Sequence, residues 1–112
     1  MATLTVNKLT RAGFKVGDTF VAVAAGGDKF ANSGRESIVV FNGNAGSLTV
    51  TADIIEAVDG QAITDRTWTL ATQASLIIGP FPQAYNDAGG FLNLTYSVST
   101  GVLIFVLQII PE

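Results

Sequence analysis

The chain has 112 residues and a formal net charge of −3, from nine acidic and six basic side chains. That length builds one domain, and surface scaling gives about 5,900 Å² exposed when folded against about 17,000 Å² unfolded, enough burial for a core without staples. Cysteine and histidine are absent, which excludes a disulfide framework, thiolate chemistry, a Ser/His/Asp relay and the usual zinc ligand sets.

From the amino terminus, Leu4 and Val6 alternate with Thr3 and Thr5, the period of a half-buried strand. Three of the six basic residues, Lys8, Arg11 and Lys15, fall in the first fifteen positions, a local positive bias on an acidic protein. Residues 1–18 therefore read as a basic arm or first strand reaching an acidic neighbour, and residues 19–112 as the folded domain. Residues 20–24 and 37–41 are the next strand candidates, separated by Gly26-Gly27-Asp28-Lys29, read as a loop. After an Asn42-Gly43-Asn44 turn, Leu48, Val50 and Ala52 alternate with Thr49 and Thr51, one face apolar and one lined by threonine. Residues 53–58 compete between strand and a short helix, and Val58-Asp59-Gly60-Gln61 predicts a type I′ hairpin into a strand over 61–70. There Trp68 and Leu70 alternate with Thr67 and Thr69. Strands follow at 75–78, 91–98 and 102–110, punctuated by Gly79-Pro80-Phe81-Pro82, Asn86-Asp87-Ala88-Gly89-Gly90 and Thr100-Gly101. About eight short strands with turns every 8–12 residues predict an all-β, single-domain antiparallel sandwich, jelly-roll-like, with an immunoglobulin-like sandwich as the alternative.

The last strand is apolar on both faces. One face belongs to the core, and the other lies under a covering loop or a neighbouring subunit. Alternation puts Phe105 and Val106 on opposite sides, so one is a core residue and the other a candidate contact. Only 13% of the chain is charged while 48% is hydrophobic, against a typical ~25% charged, so it cannot cover itself with charge. The longest apolar stretch, about nine residues ending at Ile110, falls short of the roughly 20 a spanning helix needs, and no apolar leader precedes the first alternation. The basic residues Lys8, Arg11, Lys15, Lys29, Arg35 and Arg66 are scattered and form no stripe for phosphates, so neither membrane nor direct nucleic acid is expected as a partner. Another protein chain is, because obligate interfaces resemble a domain core cut in half.

Candidate chemistry is sparse. Glu36, Asp53, Glu56, Asp59 and Asp65 could supply the two carboxylates of a glycosidase, but no spacing favours a pair. Asp59 suits its Asp-Gly turn, and Asp65-Arg66 a surface ion pair or turn. Asn86-Asp87-Ala88-Gly89-Gly90 lacks the acidic density of a calcium loop, and Gly26-Gly27-Asp28-Lys29 lacks the spacing of a phosphate cradle. Asn93-Leu94-Thr95 matches a glycosylation sequon that has meaning only after secretion. Phe30, Trp68, Phe81, Tyr85 and Phe91 lie in or beside strands, where aromatic residues belong to the core. No catalytic residue, metal or cofactor is expected.

The run Ala24-Ala25-Gly26-Gly27-Asp28-Lys29-Phe30-Ala31-Asn32-Ser33-Gly34-Arg35, followed by Ile38-Val39-Val40-Phe41-Asn42-Gly43, is similar to a motif of small proteins from tailed-phage structural cassettes. Val58-Asp59-Gly60, Asp65-Arg66-Thr67 and Gly79-Pro80-Phe81-Pro82 leading to Tyr85-Asn86-Asp87 recur there in the same order, so the likeness spans residues 20–110. The family it resembles is the head decoration, or cement, proteins. The resemblance implies a virion protein on the outer capsid surface, made in the host cytoplasm, often trimeric at three-fold positions, with the major capsid protein as its partner. It carries no catalytic residue onto this chain. The contact residues expected from the sequence are Lys8, Arg11, Lys15, Phe105 and Val106. The alternative is a carbohydrate- or receptor-binding module of a phage head or tail fibre, which would turn aromatic side chains to solvent.

Overall fold

The computed structural model describes residues 2–9, 13, 15–54, 57–58, 61–62 and 65–109. In chain order its elements are β1 (Ala2–Thr3), β2 (Val6–Leu9), a single-turn helix α1 (Val16–Thr19), β3 (Val21–Ala22), β4 (Asp28–Ala31), β5 (Glu36–Asn42), β6 (Leu48–Asp53), β7 (Ala57–Val58), β8 (Gln61–Ala62), β9 (Arg66–Leu70), β10 (Ser75–Ile78), β11 (Phe91–Tyr96) and β12 (Val102–Ile109). Sheet I has the order β1-β4-β11-β6-β9. Sheet II has the order β10-β5-β12-β2, with β3 also paired to β12. The β-sandwich expected from the sequence is what the chain forms, with a Cα radius of gyration of 13.9 Å, close to the ~13 Å of a compact chain this long.

Outside the short two-stranded sheet of β7 and β8, three antiparallel pairs are nested along the chain: β6 with β9, then β5 with β10, then β4 with β11 outermost. They fall alternately on sheets I, II and I, and β12 then adds to sheet II beside β5. From β4 to β6, and again from β9 to β12, each strand changes sheets, whereas an immunoglobulin order keeps its first two in one sheet. Alternation explains the core between the layers. Leu48, Val50 and Ala52 of β6 point inward and are fully buried, while Thr49, Thr51 and Asp53 point outward. Phe30, Leu92 and Leu94 join them from sheet I, and Ile38, Val40, Val102, Ile104 and Val106 from sheet II, in one contiguous cluster.

Several details depart from the sequence reading. The sheets are not wholly antiparallel, because β1 runs parallel to β4 and β2 parallel to β12. Residues 2–9 thereby cross from the edge of sheet I to the edge of sheet II, with Leu4 buried between them. Asp28-Lys29 is not loop: the turn ends at Gly27 and Asp28 opens β4. The strand expected over 20–24 shortens to β3. Around the expected hairpin, Ala57 pairs with Ala62 and Val58 with Gln61, while Asp59 and Gly60 themselves lie outside the described residues. At the opposite end, the turns after β5 and before β12 meet back to back. Gly43 donates its amide to the Gly101 carbonyl, and a Cβ at Gly43 would sit 2.5 Å from that oxygen, so only glycine permits the approach.

Candidate protein-interaction face

The two outer faces of the sandwich are built from different residues. On sheet I, the register sets Thr49 beside Thr69, Thr51 beside Thr67, and Thr95 beside Thr51. Lys29 lies over the Phe91 ring at 4.7 Å and Asp53 ends β6. This is a hydroxyl-lined, charge-edged surface that water solvates. On sheet II, alternation turns Ile77 of β10, Val39 and Phe41 of β5, and Leu103, Phe105 and Leu107 of β12 outward, in rows set by the pairs Ile77–Val39–Phe105 and Phe41–Leu103. Ile77 is 70% exposed, whereas Val39 and Phe105 are 9% and 3% exposed without belonging to the inter-sheet cluster. Phe20 covers part of this face, its ring meeting Phe105 edge-on with centroids 4.9 Å apart. Among the described residues no ring is stacked in this way on Ile77 of β10.

Charge is absent from this layer for a reason visible in the chain: residues 37–52, 67–86 and 88–111 contain no Asp, Glu, Lys or Arg. Of β10, β5 and β12, only β5 has a charged residue, Glu36, and it points inward; β2 at the other edge of sheet II carries Lys8. Its carboxylate accepts hydrogen bonds from the Ser33 amide (2.6 Å) and hydroxyl (2.9 and 3.0 Å), the Arg35 amide (3.4 Å) and the Gln108 side-chain amide. Burial raises its pKa, but these donors together outweigh burial and hold it below its ordinary value. With four donors on one carboxylate, Glu36 ties the loop before β5 to β12.

The expected contact residues do not converge. Val106 is fully buried in the inter-sheet core, so it contributes packing and cannot touch a partner directly. Phe105 faces the other way, beneath Phe20. Lys8 is exposed and registers with Gln108, on the opposite side of sheet II from Phe105. Lys15 is exposed just before α1, and Arg11 lies outside the described residues. Sequence reasoning missed Ile77 and Phe41, although the unbroken apolar run Ile38-Val39-Val40-Phe41 and the triplet Leu76-Ile77-Ile78 were signals of a layer buried on both sides.

The carboxylates also separate. Glu56 and Asp59 lie outside the described residues, and Glu36 is enclosed. Asp53 and Asp65 meet at the end of sheet I, where burial, the neighbouring Asp65 charge and a hydrogen bond from it raise the Asp53 pKa, partly countered by the Thr95 hydroxyl. Asp65 accepts the Ile54 amide at 2.8 Å and so ties the residue after β6 to the residue before β9. Asp28 is buried, accepting the Tyr96 hydroxyl at 2.7 Å and the Ala24 amide at 3.2 Å. Burial and the Asp28 carboxylate push the Tyr96 phenol far up, so this pair is a fixed structural link. Asp87 accepts from Gly89, Phe91 and Asn93, which makes 86–90 a turn. The Asn93 amide is thereby engaged and its side chain buried, leaving no accessible sequon. Phe81 is buried among Phe30, Trp68 and Tyr85, with centroids 5.9–6.5 Å apart, and half-buried Trp68 and Tyr85 border a shallow cleft of about 230 Å³ with Arg66, Pro80 and Pro82. A larger groove of about 570 Å³ lies between residues 2–7 and 19–24 over Phe105. Among the described residues no three potential metal ligands cluster and no helix is long and apolar enough to cross a membrane. No family model, curated protein or solved structure matches the chain.

Proposed function

We propose that this chain is a non-enzymatic virion protein that decorates the outside of a tailed-phage head, docking the outer face of sheet II on the major capsid protein. The observation that carries the reading is the charge-free apolar layer of sheet II, with Ile77 at 70% exposure and Phe41, Leu103 and Leu107 half-buried. A side chain left there in water gains nothing, whereas covering it recovers roughly 25 cal/mol per Å², part of which is offset by the cost of association. Binding the assembled shell and not its separated subunits stabilises the shell by mass action at each site, and many weak contacts on one rigid lattice add by avidity. Self-association of the decorating protein belongs to the same reading. The nested pairs support a jelly-roll-like wrapping, with β12 added beside β5.

The test is cosedimentation with empty heads assembled from the major capsid protein of the same genome. Saturable binding that raises the heads' melting temperature supports the reading, and failure to bind contradicts it. The cleft between Trp68 and Tyr85, with Arg66 donating to the Tyr85 hydroxyl at 3.4 Å, favours a second reading, a glycan- or receptor-binding module, which a Trp68→Ala variant screened against a glycan panel would separate from the first.

A further inference from the structure

A sheet edge presents a row of unpaired amides and carbonyls, and proteins blunt such edges with cover, charge, proline or shortness. In this sandwich the edges are treated unequally. The outer edge of β12 is covered by β3 at Leu103–Ile104 and by β2 from Val106 to Ile109. The edge of β4 is covered by β1, which is itself two residues long. The edge strand β9 carries Arg66 and alternating threonines. Only β10 has none of these devices: Ser75-Leu76-Ile77-Ile78 has no charge and no proline, pairs with β5 on one side, and pairs with no described residue on the other. It also carries Ile77, the most exposed of the large hydrophobic side chains among the described residues.

We infer that the free edge of β10 pairs with β10 of a second copy of this chain, antiparallel about a two-fold axis. Directly opposed residues in an antiparallel pair share a face, so the register that buries the exposed side chain sets Ile77 against Ile77 of the second copy, with Leu76 against its Ile78. Sheet II then runs unbroken through both copies, and the apolar outer faces join. The occupant is a second copy because the edge is complementary to itself. The opposed pairs Ile77–Ile77 and Leu76–Ile78 are apolar, Ser75 falls opposite Gly79, and β10 lies in the uncharged stretch 67–86, so two bodies of net charge −3 meet where neither bears charge. Two-fold pairing is also the simplest closed symmetry for a self-complementary patch. This contact rests on the self-association in the proposed function and not on the capsid.

The experiment uses the isolated full-length protein, so a failure of capsid binding does not affect it. Light scattering coupled to size exclusion should give twice the 11.7 kDa chain mass for the wild type and the single-chain mass for Ile77→Lys with an unchanged circular dichroism spectrum. Because the chain has no cysteine, Ile77→Cys should form an inter-chain disulfide under mild oxidation, while Thr51→Cys on sheet I should not. A wild type of single-chain mass, a three-fold mass, or an Ile77→Lys variant that keeps the double mass would each overturn the pairing. Should Ile77→Lys lose its native spectrum, Ile77→Thr, which suits a strand, decides by the same reading of mass.

Discussion

Both outer faces of this sandwich come from pleated strands over one shared core, yet one is a lattice of threonine hydroxyls and the other a layer of isoleucine, valine, leucine and phenylalanine. The threonine face needs nothing further, since water satisfies its hydroxyls. The apolar face is only half finished: Phe20 closes its β12 side, and Ile77 and Phe41 are left on the other. The contrast marks where the chain expects company. A sheet apolar on both faces suits the middle layer of something larger, and in the proposed reading the layer that covers it is another protein chain.

The two sides of β12 carry the largest expected effect. Val106→Lys buries an unpaired charge in the core and should cost about 3–5 kcal/mol, enough to unfold a domain this size. Phe105→Lys removes a ring from the outer side of the strand, where it meets Phe20, and should leave a folded protein with a smaller loss of melting temperature than Val106→Lys; equal loss would mean that the outer face is core. Next in size is Asn42→Ala. Asn42 is fully buried, and its amide donates to the carbonyls of Gly46, Leu70 and Ala71 while its side-chain oxygen accepts the Asn44 amide. Leaving those carbonyls unpaired should cost about 1–3 kcal/mol by denaturant unfolding, with both faces loosening together.

Acid should act on sheet II first. Because the Glu36 carboxyl is held below its ordinary value of 4.5 when folded, its contribution is present above that pH and is lost as pH falls through the folded pKa. Glu36→Gln should flatten the acid limb of a melting-temperature profile. Asp53 on sheet I has the opposite sign: its folded pKa is raised, so its contribution is present at low pH and is lost as pH rises through the folded value. Asp53→Asn should therefore stabilise the protein at pH 7 by a few tenths of a kcal/mol, roughly the scale of a surface substitution, and give no gain in acid.

Much of the architecture was legible because two-residue alternation is a local property. The Thr49/Thr51 and Thr67/Thr69 patterns name the solvated face by themselves, and the doubly apolar last strand names a covered one. What was not legible depends on partners far along the chain. Asp28 and Lys29 read as loop, since Asp and Lys disfavour strands and two glycines precede them, but pairing with the distant β11 makes Asp28–Ala31 a strand. Asn32, Asn42 and Asn86 look like ordinary turn residues, and two of them turn out to be locked together: Asn32 donates to the Asn86 side-chain oxygen at 2.8 Å, and Asn86 donates back to the Asn32 carbonyl at 2.7 Å. Nothing local announces Phe20 as the lid of Phe105, or the parallel seating of residues 2–9. The proposed contact face was half legible for the same reason: the sequence singles out β12, but only the register shows that β5 and β10 continue its outer surface.

If sheet II, and not sheet I, is the docking side, one matched pair of lysine substitutions will separate the two. Thr51→Lys and Leu103→Lys place the same charge on the outward faces of central strands in the two sheets, at a threonine and a leucine that are each half-buried. In cosedimentation with empty heads, Thr51→Lys should bind as the wild type does, and Leu103→Lys should lose at least about tenfold in affinity, roughly 1.4 kcal/mol, with its fold intact by circular dichroism. Equal binding by the two variants, or loss confined to Thr51→Lys, would contradict docking through sheet II.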